Sequence, residues 1–247
     1  VSKIIANDIG LGSTSIICSL LHDVVEDTSI TSKNIKDQFG EQVATIIDGL
    51  TKISGVVDSN VSLQAENFRK MILTISNDIR VVLIKIADRL DNMRTLEYLK
   101  PKKQERIASE TLYLYAPLAH RLGLYSIKTE LEDLSLKYTD PDIYFDISNK
   151  LNETKNNREK YIKKFIRPIK EKLKNEKISF SIKGRPKSIF SIRKKIIEKE
   201  IEFDEVFDKF AIRIIINCSQ EKEKEVCWKV YSIVTDFYTP NPDRLRD

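Results

Sequence analysis

The sequence predicts an α+β chain in two parts: an all-helical part over Val1–Pro141, then a smaller α/β part over Asp142–Asp247. Three observations carry this. From Val1 to about Tyr138, apolar residues recur at three- and four-residue spacing, the period of a helix buried along one face. "TDPD" (139–142) then gives a turn signal. Further on the period drops to two in "ISFSIKG" (178–184), and "FAIRIIIN" (210–217) is β-branched and almost wholly apolar.

Val1 opens inside an apparent helix. "GEQVATIIDGLTKI" (40–53) and "ENFRKMILTI" (66–75) are amphipathic helices, and Ser62 in "SLQAENFRKM" is placed to cap the second. "YLYAPLAHRLGLYSIKTELEDLSLKY" (113–138) reads as two helices broken at Gly123. A charged helical segment spans 142–177. "ISFSIKG" fits a half-buried strand, "SIFSIRKKIIEKE" (188–200) a helix, "FAIRIIIN" a central strand and "KEVCWKVYSIVTDFY" (224–238) a last helix. The second part therefore contains a strand–helix–strand unit.

Composition narrows the class. Hydrophobic residues at 41% with charged residues at 32% describe a packed core under a charged surface, which argues against disorder and against a membrane protein. No apolar run reaches the length of a bilayer crossing. Three scattered cysteines, with no CxxC pair, argue against a disulfide framework and a zinc–thiolate site, and suit a reducing cytosol. A net charge of +5 is mild; it suits a phosphate-rich ligand better than nucleic acid. The chain lacks a starting Met and a signal-peptide pattern, and we expect it to be a fragment.

"LLHDVVEDT" (20–28) puts an imidazole and three carboxylates among apolar residues. On a continuous helix His22 stacks on Glu26 and Asp23 on Asp27, while Leu20, Leu21, Val24 and Val25 face the core. His with Asp is a hard-to-borderline ligand set, suited to Mn, Fe or Zn. The alternative is a solvated helix edge with one core-facing His. In "VVLIKIADRLDNMRTLEYL" (81–99), Ile86, Leu90 and Met93 form an apolar stripe. Asp88, Asn92 and Thr95 form a polar stripe at the same spacing. Asp, Asn and Thr are poor helix formers, so three in register point to a site, or else to a face bonded to a neighbouring helix.

"LLHDVVEDT" followed by "KIADRLDNMRTL" (85–96) closely resembles the HD phosphohydrolase domain of the RelA/SpoT family, the enzymes of the alarmone (p)ppGpp. The spacer around "SLQAENFRKM" and the stretch "YAPLAHRLGLYSIKTELEDLSLKY" also resemble that family, and the likeness covers essentially the whole chain. The resemblance implies an HD-type hydrolase domain over 1–141, followed by a partial, nucleotidyltransferase-like synthetase domain over 142–247. It implies His22, Asp23 and Asp88 as Mn2+ ligands, Glu26 and Asp27 as the catalytic acidic pair, and Asn92 and Thr95 at the guanosine end. The implied reaction is hydrolysis of the 3′-pyrophosphate of ppGpp or pppGpp, giving GDP or GTP.

In the second part, "KGRPKSIFSIRKKI" (183–196) has Gly184 and Pro186 bracketing a turn, with cations gathered near the start of the following helix. Taken alone it reads as a phosphate site, a solvated face or a nucleic-acid patch. "FDEVFDKFAIRIII" (203–216) sets Asp208 just ahead of a strand, where a Mg2+ ligand, a helix cap or a salt bridge to Arg213 would each fit. Both segments resemble the same family's synthetase. The resemblance implies that Arg185, Lys187 and Lys195 hold ATP phosphates, with Ser191 close by, and that Asp208 binds Mg2+.

In that family a further His ligand and a basic pair precede the point matching Val1, and a guanine-stacking Tyr and a second catalytic Glu follow the point matching Asp247. We therefore expect these 247 residues alone to be weak or inactive in both reactions. Expected partners are the guanine nucleotides and ATP, in the cytoplasm, with no membrane and no direct nucleic-acid contact; a ribosome contact would need further domains. His120 reads as a structural histidine, and Trp228 as a core or packing residue. Two other readings remain: a different HD-domain nucleotide phosphohydrolase, and a non-catalytic nucleotide-sensing regulator.

Overall fold

The computed structural model describes residues 1–54, 78–206 and 209–241. The expected helix "ENFRKMILTI" with its Ser62 cap, and Asp208, lie outside the described residues. The chain divides into two units, Val1–Pro141 and Asp142–Asp247.

The described part of the first unit is helical throughout. A wide π turn over Ile4–Ile9 ends at Gly10, whose φ of 81° takes the left-handed conformation that glycine tolerates. There follow α1 (Ser13–Leu21), α2 (Val24–Asp27), α3 (Ser32–Phe39) and α4 (Glu41–Ser54). Next come α5 (Ile79–Arg94) and α6 (Pro101–Glu110), a second π turn (Thr111–Tyr115), α7 (Ala116–Arg121) and α8 (Tyr125–Thr139).

Local chemistry sets several starts and stops. Thr31 and Asn34 form a capping box at α3. Asp78 caps α5 by accepting from the Arg80 backbone N–H at 2.9 Å, and it pairs with the Arg80 guanidinium at 2.6 Å. Pro101 opens α6, where its missing N–H costs nothing. Gly123, at φ 75°, separates α7 from α8 as expected. The predicted stripe Ile86, Leu90 and Met93 is fully buried, in one core cluster with Ile46, Ile47 and Leu50 of α4. Burying each such side chain contributes about 1.5–3 kcal/mol. Gly49 lets α4 come close to α5: a Cβ there would meet Val81 Cγ2 at 2.9 Å.

The second unit holds α9 (Pro141–Glu153), α10 (Lys155–Asn175), β1 (Phe180–Pro186), α11 (Ile189–Lys199), β2 (Phe210–Ile216) and α12 (Glu223–Thr235). Phe180, Ile182, Ile214 and Ile216 turn one sheet face onto Ile169 and Leu173 of α10 and Val230 and Ile233 of α12. The connecting helix does not make β1 and β2 parallel. They pair antiparallel, from Phe180↔Ile216 to Pro186↔Phe210.

Several expectations are corrected. β2 is not buried on both faces, because Ala211, Arg213 and Ile215 alternate outward. Gly184 and Pro186 do not bracket a turn but lie inside β1; Gly184 is where α10 approaches, since a Cβ would meet Ile162 Cγ2 at 2.9 Å. Leu20 is 67% exposed and Trp228 43%, so neither is a core residue. His120 is exposed as well, with its ring edge-on to Tyr125 at 5.5 Å.

Candidate active site

The motif "LLHDVVEDT" is not one helix. α1 stops at Leu21, His22 is its C-cap, and Asp23 (φ −105°, ψ −1°) opens the short α2. Side chains of adjacent helical residues diverge by about 100°. The break removes that constraint, and His22 Nε2 comes within 2.9 Å of Asp23 Oδ2. The same nitrogen stands 3.5 Å from Asp88 Oδ1, on α5. Asn92, one turn beyond Asp88, donates its side-chain N–H to Asp88 Oδ1 at 3.0 Å. Asp23 of the first motif and Asp88 of the second thus both approach His22 Nε2, across a long stretch of chain.

On the other edge of the ring, His22 Nδ1 lies 3.0 Å from the Ser19 carbonyl oxygen. A carbonyl only accepts, so Nδ1 carries the hydrogen. In the neutral ring the Nε2 lone pair then faces two carboxylate oxygens. That arrangement is repulsive unless a proton or a metal ion lies between them. The hydrogen bond to Asp88 raises the imidazole pKa above the usual value; burial opposes this, and Asp23 adds to it. Burial pushes the Asp88 carboxyl up, but the hydrogen bond from His22 and the charge of buried Lys85 outweigh it, and the net direction is down.

The donor set fits a divalent ion. It combines an imidazole nitrogen oriented by a backbone carbonyl with two carboxylates, the borderline-to-hard mixture that Mn2+ accepts. Two ligand atoms about 2.1 Å from one octahedral ion stand roughly 3 Å apart, near the 2.9 Å from Nε2 to Asp23 Oδ2 and shorter than the 3.5 Å to Asp88 Oδ1. As they stand, no three His, Cys, Asp or Glu side chains among the described residues surround a single ion position. The Asp23 side chain is 48% exposed, which leaves it room to turn.

The other predicted residues of this unit lie around that point without joining it. Glu26 and Asp27 are exposed on α2, their backbone N–H groups bonded to the Asp23 carbonyl at 3.1 and 2.8 Å. The break separates His22 from Glu26, so their expected stacking is lost, whereas Asp23 and Asp27 stay one turn apart on α2. Thr95 caps the end of α5, its hydroxyl donating to the Asp91 carbonyl at 3.3 Å. Cys18 is buried, which pushes its thiol up to about 11 and leaves it inert as a nucleophile.

In the second unit, Ser188 caps α11: its Oγ accepts from the Ser191 backbone N–H at 3.2 Å and donates to Ser191 Oγ at 2.7 Å. Lys187 sits just before that cap, its backbone N–H bonded to Lys209 O at 2.9 Å, and Lys195 is half-buried on α11. The backbone of Arg185 pairs with Ala211. Neither Lys183 nor Arg213 is marked by the sequence as a phosphate contact. They are direct cross-strand partners on the exposed sheet face. Like charges opposed in this way destabilise a sheet unless an anion lies against them. The signal was present in the alternation of "ISFSIKG" and "FAIRIII", once the pairing is antiparallel.

Comparison with known proteins bears on both units. Residues 1–125 match the family model described as HD domain. That defines the first unit as a helical domain of the HD class. Residues 184–247 match the model described as a region found in RelA / SpoT proteins. The "GTP pyrophosphokinase" of Myxococcus xanthus is 44% identical over 98% of this chain and 32% of its own length. The "Guanosine-3′,5′-bis(diphosphate) 3′-pyrophosphohydrolase" of Aquifex aeolicus is 41% identical, over 97% and 34% respectively. The "Bifunctional (p)ppGpp synthase/hydrolase SpoT" of Escherichia coli K12 is 40% identical, over 94% and 33%. The chain belongs to the RelA/SpoT family. It spans about a third of the length of the curated relatives it matches.

Proposed function

We propose that residues 1–141 hydrolyse the 3′-pyrophosphate of (p)ppGpp, and that residues 142–247 supply the ATP-phosphate side of a 3′-pyrophosphate transfer to GDP or GTP. The hydrolase reading is carried by one observation: His22 Nε2 is shared between Asp23 and Asp88, with its tautomer set by Ser19. His22, Asp23 and Asp88 would hold Mn2+. When bound, the ion makes water a better nucleophile near neutral pH and offsets charge on the pyrophosphate. Glu26 and Asp27, exposed one turn from Asp23, accept the proton of the attacking water. Asn92 holds the Asp88 carboxylate and, with Thr95, borders the nucleoside. The water oxygen bonds to phosphorus, the bond from phosphorus to the ribose 3′ oxygen breaks, that oxygen takes a proton, and pyrophosphate leaves with GDP or GTP remaining.

In the synthetase reading, Arg185, Lys187 and Lys195, together with Lys183 and Arg213, bind the phosphates of ATP. Ser191 lies at the same helix start, and Asp208 would hold Mg2+. The 3′ oxygen of GDP or GTP bonds to the β phosphorus of ATP, the bond from that phosphorus to the α,β-bridging oxygen breaks, the hydroxyl proton passes to solvent, and AMP leaves. Such a transfer is chiefly positioning and charge neutralisation, which a cluster of cations supplies. Both reactions belong to the cytoplasm.

The test uses the full-length polypeptide carrying this chain. Asp88→Ala and Glu26→Gln lose alarmone breakdown and keep synthesis. Asp208→Asn loses synthesis and keeps breakdown. Retention of both activities by all three variants overturns the assignment.

A further inference from the structure

We infer that Arg89, Glu110 and Tyr115 form a clamp that fixes the rotation of α5 and so aims Asp88; the inference rests on the hydrolase reading above. Arg89 follows Asp88 in sequence and points about 100° away from it round the helix. Its guanidinium enters the interior, with only 13% of the side chain exposed. There it donates to the two Glu110 carboxylate oxygens at 3.2 and 3.4 Å and to Tyr115 Oη at 3.2 Å. The Tyr115 ring lies under the guanidinium carbon at 4.2 Å. Four approaches from two residues hold one side chain.

The clamp depends on a rare backbone feature. Glu110 and Tyr115 are five residues apart, and on an α-helix such residues point about 140° away from each other. The intervening Thr111–Tyr115 is a π turn, closed by the Ala116 N–H to the Thr111 carbonyl. In this wider winding residues five apart differ by only about 50°, so both can face Arg89. Thr111 touches α5 as well: its hydroxyl donates to the Ile107 carbonyl at 2.7 Å, and its oxygen lies 3.4 Å from Met93 Sδ, one turn beyond Arg89. The π turn therefore grips the buried side of α5 while Asp88 and Asn92 occupy another.

A well-packed apolar trio would hold α5 in place with less desolvation. Apolar contacts, however, tolerate rotation of a helix about its axis. A two-pronged guanidinium–carboxylate fork does not, because its hydrogen bonds are directional. Asp88 is the only proposed ligand that comes from α5, so a rotation of that helix moves it directly off the ion.

The experiment compares Tyr115→Phe, Arg89→Lys and the apolar double variant Arg89→Met/Glu110→Leu with wild type and Asp88→Ala, all in the full-length polypeptide. Mn2+ affinity is read without turnover, from the electron paramagnetic resonance of free Mn2+. The Mn2+ concentration giving half-maximal hydrolysis, the melting temperature and the synthesis rate are measured alongside. The clamp predicts that Tyr115→Phe and Arg89→Lys weaken Mn2+ binding about tenfold and raise the half-maximal concentration by the same factor. Hydrolysis at saturating Mn2+ and synthesis stay within about twofold of wild type. The double variant melts near the wild-type temperature yet binds Mn2+ as weakly as the single variants. Unchanged Mn2+ affinity in a folded double variant overturns the clamp; if that variant does not fold, unchanged affinity in Tyr115→Phe does so. Wild-type Mn2+ binding by Asp88→Ala overturns the hydrolase reading itself, a separate result.

Discussion

Gly49→Ala tests how closely α4 seats against α5, the helix that carries Asp88. Two effects of opposite sign meet at this position. Inside a helix, replacing Gly with Ala stabilises by about 0.8–1 kcal/mol. The new methyl group, however, would stand 2.9 Å from Val81 Cγ2 and 3.4 Å from Cγ1. Val81 is 2% exposed and β-branched, so it has little freedom to turn aside. Overpacking of this kind costs about 1–3 kcal/mol. The net expectation is a loss of about 1 kcal/mol. In a Val81→Ala background the atoms that block the methyl are gone, and the same substitution should gain about 1 kcal/mol. Urea unfolding of the four proteins of this cycle should therefore give a coupling energy of about 2 kcal/mol, with a change of sign. Gly49→Ala stabilising in both backgrounds, or a coupling within about 0.5 kcal/mol of zero, refutes the reasoning.

Two further substitutions give distinct signatures. The hydrogen bond from the Arg80 guanidinium holds the Asp78 carboxyl below its usual pKa, with burial opposing. Its stabilising contribution is full above the unfolded pKa of about 3.9 and fades as pH falls through the lower folded value. Asn still caps the helix but loses the ionic partner of Arg80, so Asp78→Asn should lower stability by about 1 kcal/mol at pH 7 and flatten the acid limb of the stability curve; an unchanged acid limb counts against the pair. Ser188→Ala removes the cap of α11 and should cost about 1 kcal/mol, with faster hydrogen exchange at the Ser191 amide. Protection equal to wild type there would show that the cap hydrogen bond is not formed.

Elements set by periodicity were legible. The stripe Ile86, Leu90 and Met93, the break at Gly123 and both strands follow from spacing and from glycine's tolerance of positive φ. The break at His22–Asp23 was not, because nothing in "LLHDVVEDT" opposes a continuous helix; only the approach of α5 from far along the chain gives the two side chains a common target. Gly184 and Pro186 resemble turn punctuation, and the glycine's actual cause is the nearness of Ile162, a tertiary fact. The π turn at Thr111–Tyr115 leaves no compositional mark. It becomes intelligible only once Arg89 is seen to need two partners five residues apart. Trp228 shows the limit of residue type as a guide to burial: it is half-exposed, edge-on to Tyr231 at 5.6 Å.

One divalent ion held jointly by His22, Asp23 and Asp88 is the centre of this functional reading. Anomalous scattering at the manganese edge, from crystals of the full-length polypeptide grown with Mn2+, locates that ion directly. The expected map has one strong peak within about 2.3 Å of His22 Nε2 and of a carboxylate oxygen from each aspartate. A map with His22 Nε2 still hydrogen-bonded to carboxylate, and manganese absent or bound elsewhere, contradicts it.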